Sequence, residues 1–289
     1  MAAPLIVIVG ETASGKSALA MELAKQFDGE IISADSWAVY KGFDIGTAKP
    51  TKQEQADIPH HLIDVAEPQE GFSAVVFKRL ATKAIEDIQK REKLPILVGG
   101  TGLYIDSVLY DYSFLPPSDP ELRQELNVMT LSELIKKAED MKLDTTGIDM
   151  RNKRRIIRII ENNGVRPTKH DLRPNTLMLG VRRPPNELEN RITKRIDAMV
   201  EQGFPDEVKQ LGEQYGWDIE PMRAPGYRAF ADYVKGQISL DQAKLRNKQN
   251  DLQLAKKQRT WFKRNSSIQW LTDPSNAVEI VTTFLNKNR

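Results

Sequence analysis

Pro4-Leu5-Ile6-Val7-Ile8-Val9, a continuous apolar run of the kind that forms a buried strand, leads directly into Gly10-Glu11-Thr12-Ala13-Ser14-Gly15-Lys16-Ser17, which fits G-x-x-x-x-G-K-[ST]. A helical period follows from Lys16 to Phe27, with Leu19, Leu23 and Phe27 on one face. Strand, glycine-rich loop and helix in this order form the context that a phosphate-binding loop requires. Such a loop wraps phosphates with backbone N–H groups and aims a helix N-terminus at them. It adds the charge of Lys16 and offers the Ser17 hydroxyl to Mg²⁺. The loop suits ATP and other diphosphates alike.

Working outward, further strand candidates are Glu30 to Ser33, His61 to Val65 and Pro95 to Val98, with a helical stripe of Val76, Phe77, Leu80, Ala84 and Ile88 between the last two. This alternation predicts a parallel sheet. Two prolines in the stretch Ser113 to Asp119 break the rhythm and open a mainly helical segment to about Asn163. The strand pattern returns at Thr176 to Val181. Helices follow around Asn186 to Gln202, with Leu188, Ile192, Ile196 and Met199 on one face, and around Pro205 to Tyr215. The expected architecture is α/β, a P-loop NTPase-like parallel sheet flanked by helices. Residues 1–112 and 164–289 form its core and residues 113–163 a small helical insertion.

The 289 residues carry 42 Lys+Arg against 40 Asp+Glu and no cysteine, which excludes disulfides, Cys-ligated zinc, iron–sulfur clusters and a thiol nucleophile. No run of about 18 apolar residues exists, and the N-terminal Met-Ala-Ala-Pro leads straight into a strand, so neither a membrane span nor a signal peptide is expected. A cytoplasmic enzyme is. The net charge of +2 hides a split: 15 basic and 24 acidic side chains in residues 1–150, 27 and 16 in residues 151–289. A basic half on a near-neutral chain suits a polyanion such as nucleic acid, though long solvated helices would give the same count.

Asp35-Ser36 ends the second strand at the carboxyl edge of the sheet, where α/β proteins place ligands. Asp35 can serve there as a general base, as an indirect magnesium partner, or as a cap for the next helix. After Pro95 to Val98 comes Gly99-Gly100-Thr101-Gly102-Leu103-Tyr104, whose glycines let backbone approach a ligand closely. The nearest Walker-B-like carboxylate is Asp64 in Leu62-Ile63-Asp64. His60 and His61 lack the companions of a zinc site and read as structural loop residues. A helix from Arg151 to Ile160 sets Arg151, Arg154, Arg155 and Arg158 on one face, with Ile156, Ile157 and Ile160 largely on the other. Residues 244–264 hold eight basic side chains and one acid, with Trp261 and Phe262 near the end of that span; Trp261 suits a core anchor and a base-stacking platform equally.

The phosphate loop, Asp35 to Tyr40, D-I-G-T-A-K-P (Asp44 to Pro50), P-H-H-L-I-D (Pro59 to Asp64), G-G-T-G-L-Y (Gly99 to Tyr104), R-A-P-G-Y-R (Arg223 to Arg228) and A-K-K-Q-R-T-W-F (Ala255 to Phe262) together closely resemble the tRNA dimethylallyltransferase family, the bacterial isopentenyltransferases. The blocks occur in order over nearly the whole chain. The resemblance implies transfer of a dimethylallyl group from dimethylallyl diphosphate to the exocyclic amine of the adenosine just 3′ of the anticodon, with Mg²⁺. It implies diphosphate binding by Gly10 to Ser17, metal at Ser17, a general base at Asp35, and catalytic Thr101 and Arg223. The implied tRNA contacts are Asp35, Ser36, Trp37, Ala38 and Thr101; Arg123, Arg154, Arg155, Ile156, Ile157 and Arg158; and Gln253, Lys256 and Lys257. The partner would be the anticodon stem-loop, whose base must leave its stack to react. The chain departs from the family pattern at Glu11, where Pro is usual, at Ala38, where Gln is usual, and at Pro225 and Leu252, where an aliphatic residue and Arg are usual. The insertion is short. An ATP-dependent small-molecule kinase, with Arg154, Arg155 and Arg158 as lid arginines, and an RNA-binding protein with degenerate chemistry are the competing readings. No heptad or dimer helix argues against a monomer.

Overall fold

The computed structural model describes residues 3–116, 119–271 and 273–287. Met1 and Ala2 of the N-terminal reading, and Pro117 and Ser118 of the predicted break, lie outside them. The elements run β1 (Leu5–Gly10), α1 (Lys16–Gln26), β2 (Gly29–Ala34), α2 (Lys52–Asp57), β3 (His60–His61), α3 (Ala74–Lys90), β4 (Leu94–Gly99), α4 (Gly102–Leu109), α5 (Pro120–Val128), α6 (Leu131–Asp140), α7 (Lys153–Glu161), β5 (Thr176–Val181), α8 (Pro185–Glu201), α9 (Phe204–Tyr215), α10 (Pro225–Val234), α11 (Leu240–Phe262), β6 (Ile268–Trp270) and α12 (Ala277–Lys287). Two compact units result: Met1–Leu109 with Leu172–Arg289, and Tyr110–Asp171.

In the larger unit six parallel strands pair in the order β3-β2-β4-β1-β5-β6. The fold is the expected P-loop-like α/β sheet flanked by helices. β1 and β4 are buried along their whole length because helices cover both faces, which is why each reads as an unbroken apolar run. Register decides where the site forms. Val9 and Ala34 both pair with Gly99, and Gly10 pairs with Val181, so β1, β2, β4 and β5 end level with one another. The loops that follow therefore open at one edge, with β4 inserted between β1 and β2. Leu19, Leu23, Ala277 and Val281 pack α1 and α12 against strand residues such as Ile6, Ile8 and Ile96. A second cluster joins α8 to α11 through Ile192, Phe204, Tyr227 and Phe230, and reaches Val39 to Phe43.

The predicted strand His61 to Val65 is corrected: only His60 and His61 pair, with Ile31 and Ile32. Leu62 (φ 63°) and Asp64 (φ 56°) adopt left-handed backbone, which turns the chain out of the sheet. The two histidines, expected in a loop, are thus the strand itself. His61 Nε2 lies 2.6 Å from Glu30 Oε2, which also accepts from Arg91 at 2.7 Å.

The smaller unit packs α5, α6 and α7 around Leu126, Leu134, Ala138, Ile156, Ile157, Ile159 and Ile160. The predicted helix Arg151 to Ile160 begins at Lys153, because Asn152 accepts from Arg155 N and caps it. Arg151 precedes the helix and pairs with Asp149 at 3.1 Å. Glu161, fully buried, binds the Arg123 guanidinium and lies 3.6 Å from Arg158. Among the described residues no helix is long and apolar enough to cross a membrane.

Candidate active site

The loop after β1 is tied down from several directions. Its carbonyls accept from arginines: Ala13 O from Arg191 Nε at 2.7 Å and Ser14 O from Arg183 Nε at 3.0 Å. Because a trans peptide holds C=O and N–H on opposite sides, the arginine on Ser14 O fixes the Gly15 N–H in the reverse direction. Gly15 itself sits at φ 99° and opens α1. Lys16 Nζ donates to Glu11 O at 3.1 Å. Burial pushes the Lys16 ammonium down to about 8, against the pull of Asp35, and neighbouring Arg195 pushes the same way. The buried Ser14 hydroxyl has no partner.

Helix α11 supplies the opposite wall. Ala243, Asn247, Asp251, Ala255, Gln258 and Phe262 recur at intervals of three and four, so one helix face turns small and polar side chains inward. Gln258 Oε1 accepts from Thr12 N at 2.7 Å, and Arg259 donates to Glu11, whose side chain is 3% exposed. The carboxylate that departs from the family's Pro is thus neutralised by the helix. Burial raises the Asp251 carboxyl above its ordinary range, against the opposing field of Arg195. Arg195, on α8, donates from Nη1 to Thr12 Oγ1 at 2.8 Å.

These elements enclose a cavity of about 270 Å³. Thr12, Lys16, Ser17, Arg195, Asn247 and Asp251 line one part of it, Asp35, Trp37 and Ala38 another. Asp35 Oδ1 accepts from Trp37 N at 2.8 Å and Ala38 N at 3.3 Å. One oxygen therefore caps a turn rather than the helix expected there, whose own cap is Thr51, and Oδ2 takes no part in that cap. Thr101 Oγ1 accepts from Ser36 N at 3.1 Å and pins the same segment to the end of β4.

The glycines after β4 meet α11. A Cβ at Gly100 would stand 2.2 Å from Gln258 Nε2, and one at Gly102 would stand 2.3 Å from Trp261 Cδ1. Trp261, its Nε1 on Asp106 at 3.1 Å, is therefore an anchor in the packing. Asp64, the Walker-B-like candidate, is absent from the cavity wall; it holds Lys49 Nζ at 2.5 Å, which also bonds Tyr40 O and Asp44. Glu207 accepts from the N–H groups of Asp44, Ile45 and Gly46 and from the Tyr227 hydroxyl, fixing the loop that brings Thr47 to Pro50 to the cavity.

Not every expected residue converges here. Arg223 is exposed and paired with Glu220 at 3.4 Å, outside the lining. Gln253, Lys256 and Lys257 project from the outer face of α11. In the smaller unit Arg154 and Arg155 are exposed, whereas Ile156 and Ile157 are buried in the core and cannot present side chains to a ligand. Arg123 and Arg158 bind Glu161, and Arg158 also donates to Leu115 O and Pro116 O. Sequence reading missed Arg183, Arg191, Arg195, Asn247, Asp251 and Gln258. The signal was present in part: Arg191 and Arg195 stand four apart beside the apolar stripe of α8, and the polar residues of α11 alternate with alanines on its inner seam.

Fold and cavity together define a phosphate-loop α/β protein that brings a cationic cradle and a carboxylate to one enclosed space. The family model for IPP transferase matches residues 38–265. A tRNA dimethylallyltransferase of Anoxybacillus flavithermus is 41% identical over 281 residues, 93% of this chain and 90% of that protein. Among solved structures, a tRNA isopentenylpyrophosphate transferase of Staphylococcus epidermidis is 38% identical with a TM-score of 0.74, over 99% of this chain and 100% of that one. A eukaryotic dimethylallyltransferase, solved acting on tRNA, reaches a TM-score of 0.81 at 28% identity, over 100% of this chain and 80% of that one. The chain belongs to the IPP transferase family, that of the tRNA dimethylallyltransferases. Nothing in these likenesses supports the small-molecule kinase alternative.

Proposed function

We propose that the protein is a cytoplasmic enzyme that transfers the dimethylallyl group of dimethylallyl diphosphate to N6 of the adenosine 3′-adjacent to the anticodon of tRNA. The observation that carries the reading is the convergence of Lys16, Ser17 and Asp35 on one cavity, in a chain of this family. In the reaction N6 attacks the first carbon of the prenyl group, the carbon–oxygen bond to diphosphate breaks, and the amine proton leaves to Asp35. The Asp35 oxygen that does not cap the turn is the acceptor for that proton. Diphosphate departs with charge developing on its bridging oxygen, and Lys16 with the Gly10 to Ser17 loop stabilises that charge. An exocyclic amine is a weak nucleophile, so positioning and leaving-group stabilisation supply most of the rate.

Ser17 and Asp35 both line the cavity and offer oxygen donors of the kind Mg²⁺ takes. Magnesium held there would neutralise the diphosphate. Thr101 acts through Ser36 on the acceptor side, and Arg223 reaches the leaving group only by releasing Glu220. Ala38 has no side-chain polar atom, so Trp37 is the remaining side chain of that turn able to contact a base by stacking. For tRNA, Gln253, Lys256 and Lys257 on the larger unit and Arg154 and Arg155 on the helical one are the exposed candidates.

Labelled dimethylallyl diphosphate incubated with bulk tRNA and Mg²⁺ tests the reading: label should appear on adenosine. ATP turnover on a small acceptor without prenyl incorporation would overturn it. Asp35→Ala should abolish transfer and leave tRNA affinity nearly intact.

A further inference from the structure

Arg183 and Arg191 each bind a loop carbonyl from outside the phosphate loop, but their neighbour Arg195 is different. It lines the cavity, donates one bond to Thr12 Oγ1, and leaves a buried Nε with no partner among the described residues. Among the described residues no carboxylate lies within ion-pair distance of its guanidinium. Resting on the donor reading above, we propose that Arg195 is a diphosphate-binding residue, the second fixed cation of the donor site beside Lys16.

Three features support this. Two cations line one cavity; burial is the main cause that holds the Lys16 ammonium down to about 8, and Arg195 adds a smaller push the same way, which an entering anion would offset. Thr12 Oγ1 accepts from Arg195 with a lone pair, so its own O–H stays available to donate to a phosphate oxygen in the same place. Finally, a guanidinium presents several donors in a planar fork, and with one engaged on Thr12 its other terminal N–H groups leave capacity for a phosphate oxygen. The sequence concealed this role, because Arg195 sits inside the amphipathic stretch whose apolar stripe dominates its reading.

The competing explanation is that Arg195 only braces Thr12. Titration of inorganic pyrophosphate into the wild type, Arg195→Gln and Arg195→Lys by calorimetry separates the two. Gln keeps a donor for Thr12 and loses the charge; Lys keeps the charge and loses the fork. The expected result is affinity about 10- to 100-fold weaker in Arg195→Gln, with much of the loss recovered in Arg195→Lys. The alkaline limb of the pyrophosphate-binding pH profile, set by Lys16, should also move upward in Arg195→Gln. A folded Arg195→Gln protein that binds pyrophosphate within about twofold of wild type, or equal losses in both variants with an unmoved alkaline limb, overturns the proposal. Should Arg195→Gln not fold, Arg195→Met takes its place under the same criteria: loss of affinity beside retention in Arg195→Lys supports the charge contact, and binding within about twofold of wild type refutes it. Wild-type protein that binds pyrophosphate but transfers no prenyl group to tRNA would sink the donor reading and leave the anion contact to its own titration.

Discussion

Gly100→Ala separates two readings of the glycine run after β4. If Gly100 exists to let backbone approach a ligand, an added methyl group should harm substrate binding whatever stands at position 258. In the structure the methyl group instead collides with α11: its carbon would lie 2.2 Å from Gln258 Nε2 and 3.1 Å from Cδ, with Gly10 O next at 3.5 Å, an ordinary contact. The amide must swing away and take with it the acceptor of the buried Thr12 N–H, now 2.7 Å from Gln258 Oε1. A buried donor stripped of its partner costs about 1–3 kcal/mol. Gln258→Ala removes the same acceptor and should cost a similar amount. In the double variant the methyl group meets space, so its further cost should be near zero and the coupling energy about as large as either single effect. Urea unfolding of the four proteins measures the cycle, and pyrophosphate titration follows the loop. Losses that simply add would refute the mechanism and return Gly100 to the ligand.

Three further outcomes are expected. Donor binding should weaken as pH rises through about 8, because Lys16 loses its charge there in the free protein; the same depressed pKa means that this group's contribution to stability rises with pH between about 8 and its unfolded value near 10.5, and a binding profile flat to pH 10 contradicts both. Lys256→Ala with Lys257→Ala, and separately Arg154→Ala with Arg155→Ala, should each flatten the salt dependence of tRNA affinity by about two phosphate contacts, with unchanged slopes assigning those side chains to solvent. Arg123→Ala should destabilise the helical unit by about 3 kcal/mol, since it leaves the buried Glu161 carboxylate short of its main partner; a loss under about 0.5 kcal/mol, the scatter of ordinary surface substitutions, would show that Arg158 compensates fully.

What was legible in the sequence follows from how local the cause was. β1, β4 and β5 are apolar runs bounded by turn residues, and the loop at Gly10 to Ser17 carries its own geometry, so strand, loop and helix could be read within a few residues. His61 to Val65 misled because an apolar content typical of a strand says nothing about φ, and two left-handed residues ended the pairing at His61. The second wall of the site was opaque for the opposite reason. Gln258 meets Thr12 across 246 residues of chain, and Arg195 meets it across 183. No spacing rule spans such distances. The blocks that carried the family resemblance reached Asp35 and Thr101, but they gave no reason to expect that Glu11 would be paired with Arg259.

The charge split behaves the same way. Counted along the chain, the second half looks like a broad basic surface, yet part of that charge is already engaged. Lys244, Arg246 and Lys248 bind Asp197, Asp232 and Glu189, Arg259 binds Glu11, and Arg183, Arg191 and Arg195 face the phosphate loop. A pair already formed at the surface contributes little field to an approaching polyanion. What remains free of such pairs on α11 and just beyond it is its C-terminal part, Lys256, Lys257, Lys263 and Arg264, all exposed. These flank the residues that hold the loop: Gln258 and Arg259 turn toward Thr12 and Glu11 while Lys256 and Lys257 turn outward. One helix therefore carries both a basic outer surface and the inner contacts that shape the phosphate loop. A phosphate backbone seated on the outer face would lie within one helical turn of the side chains that set the loop.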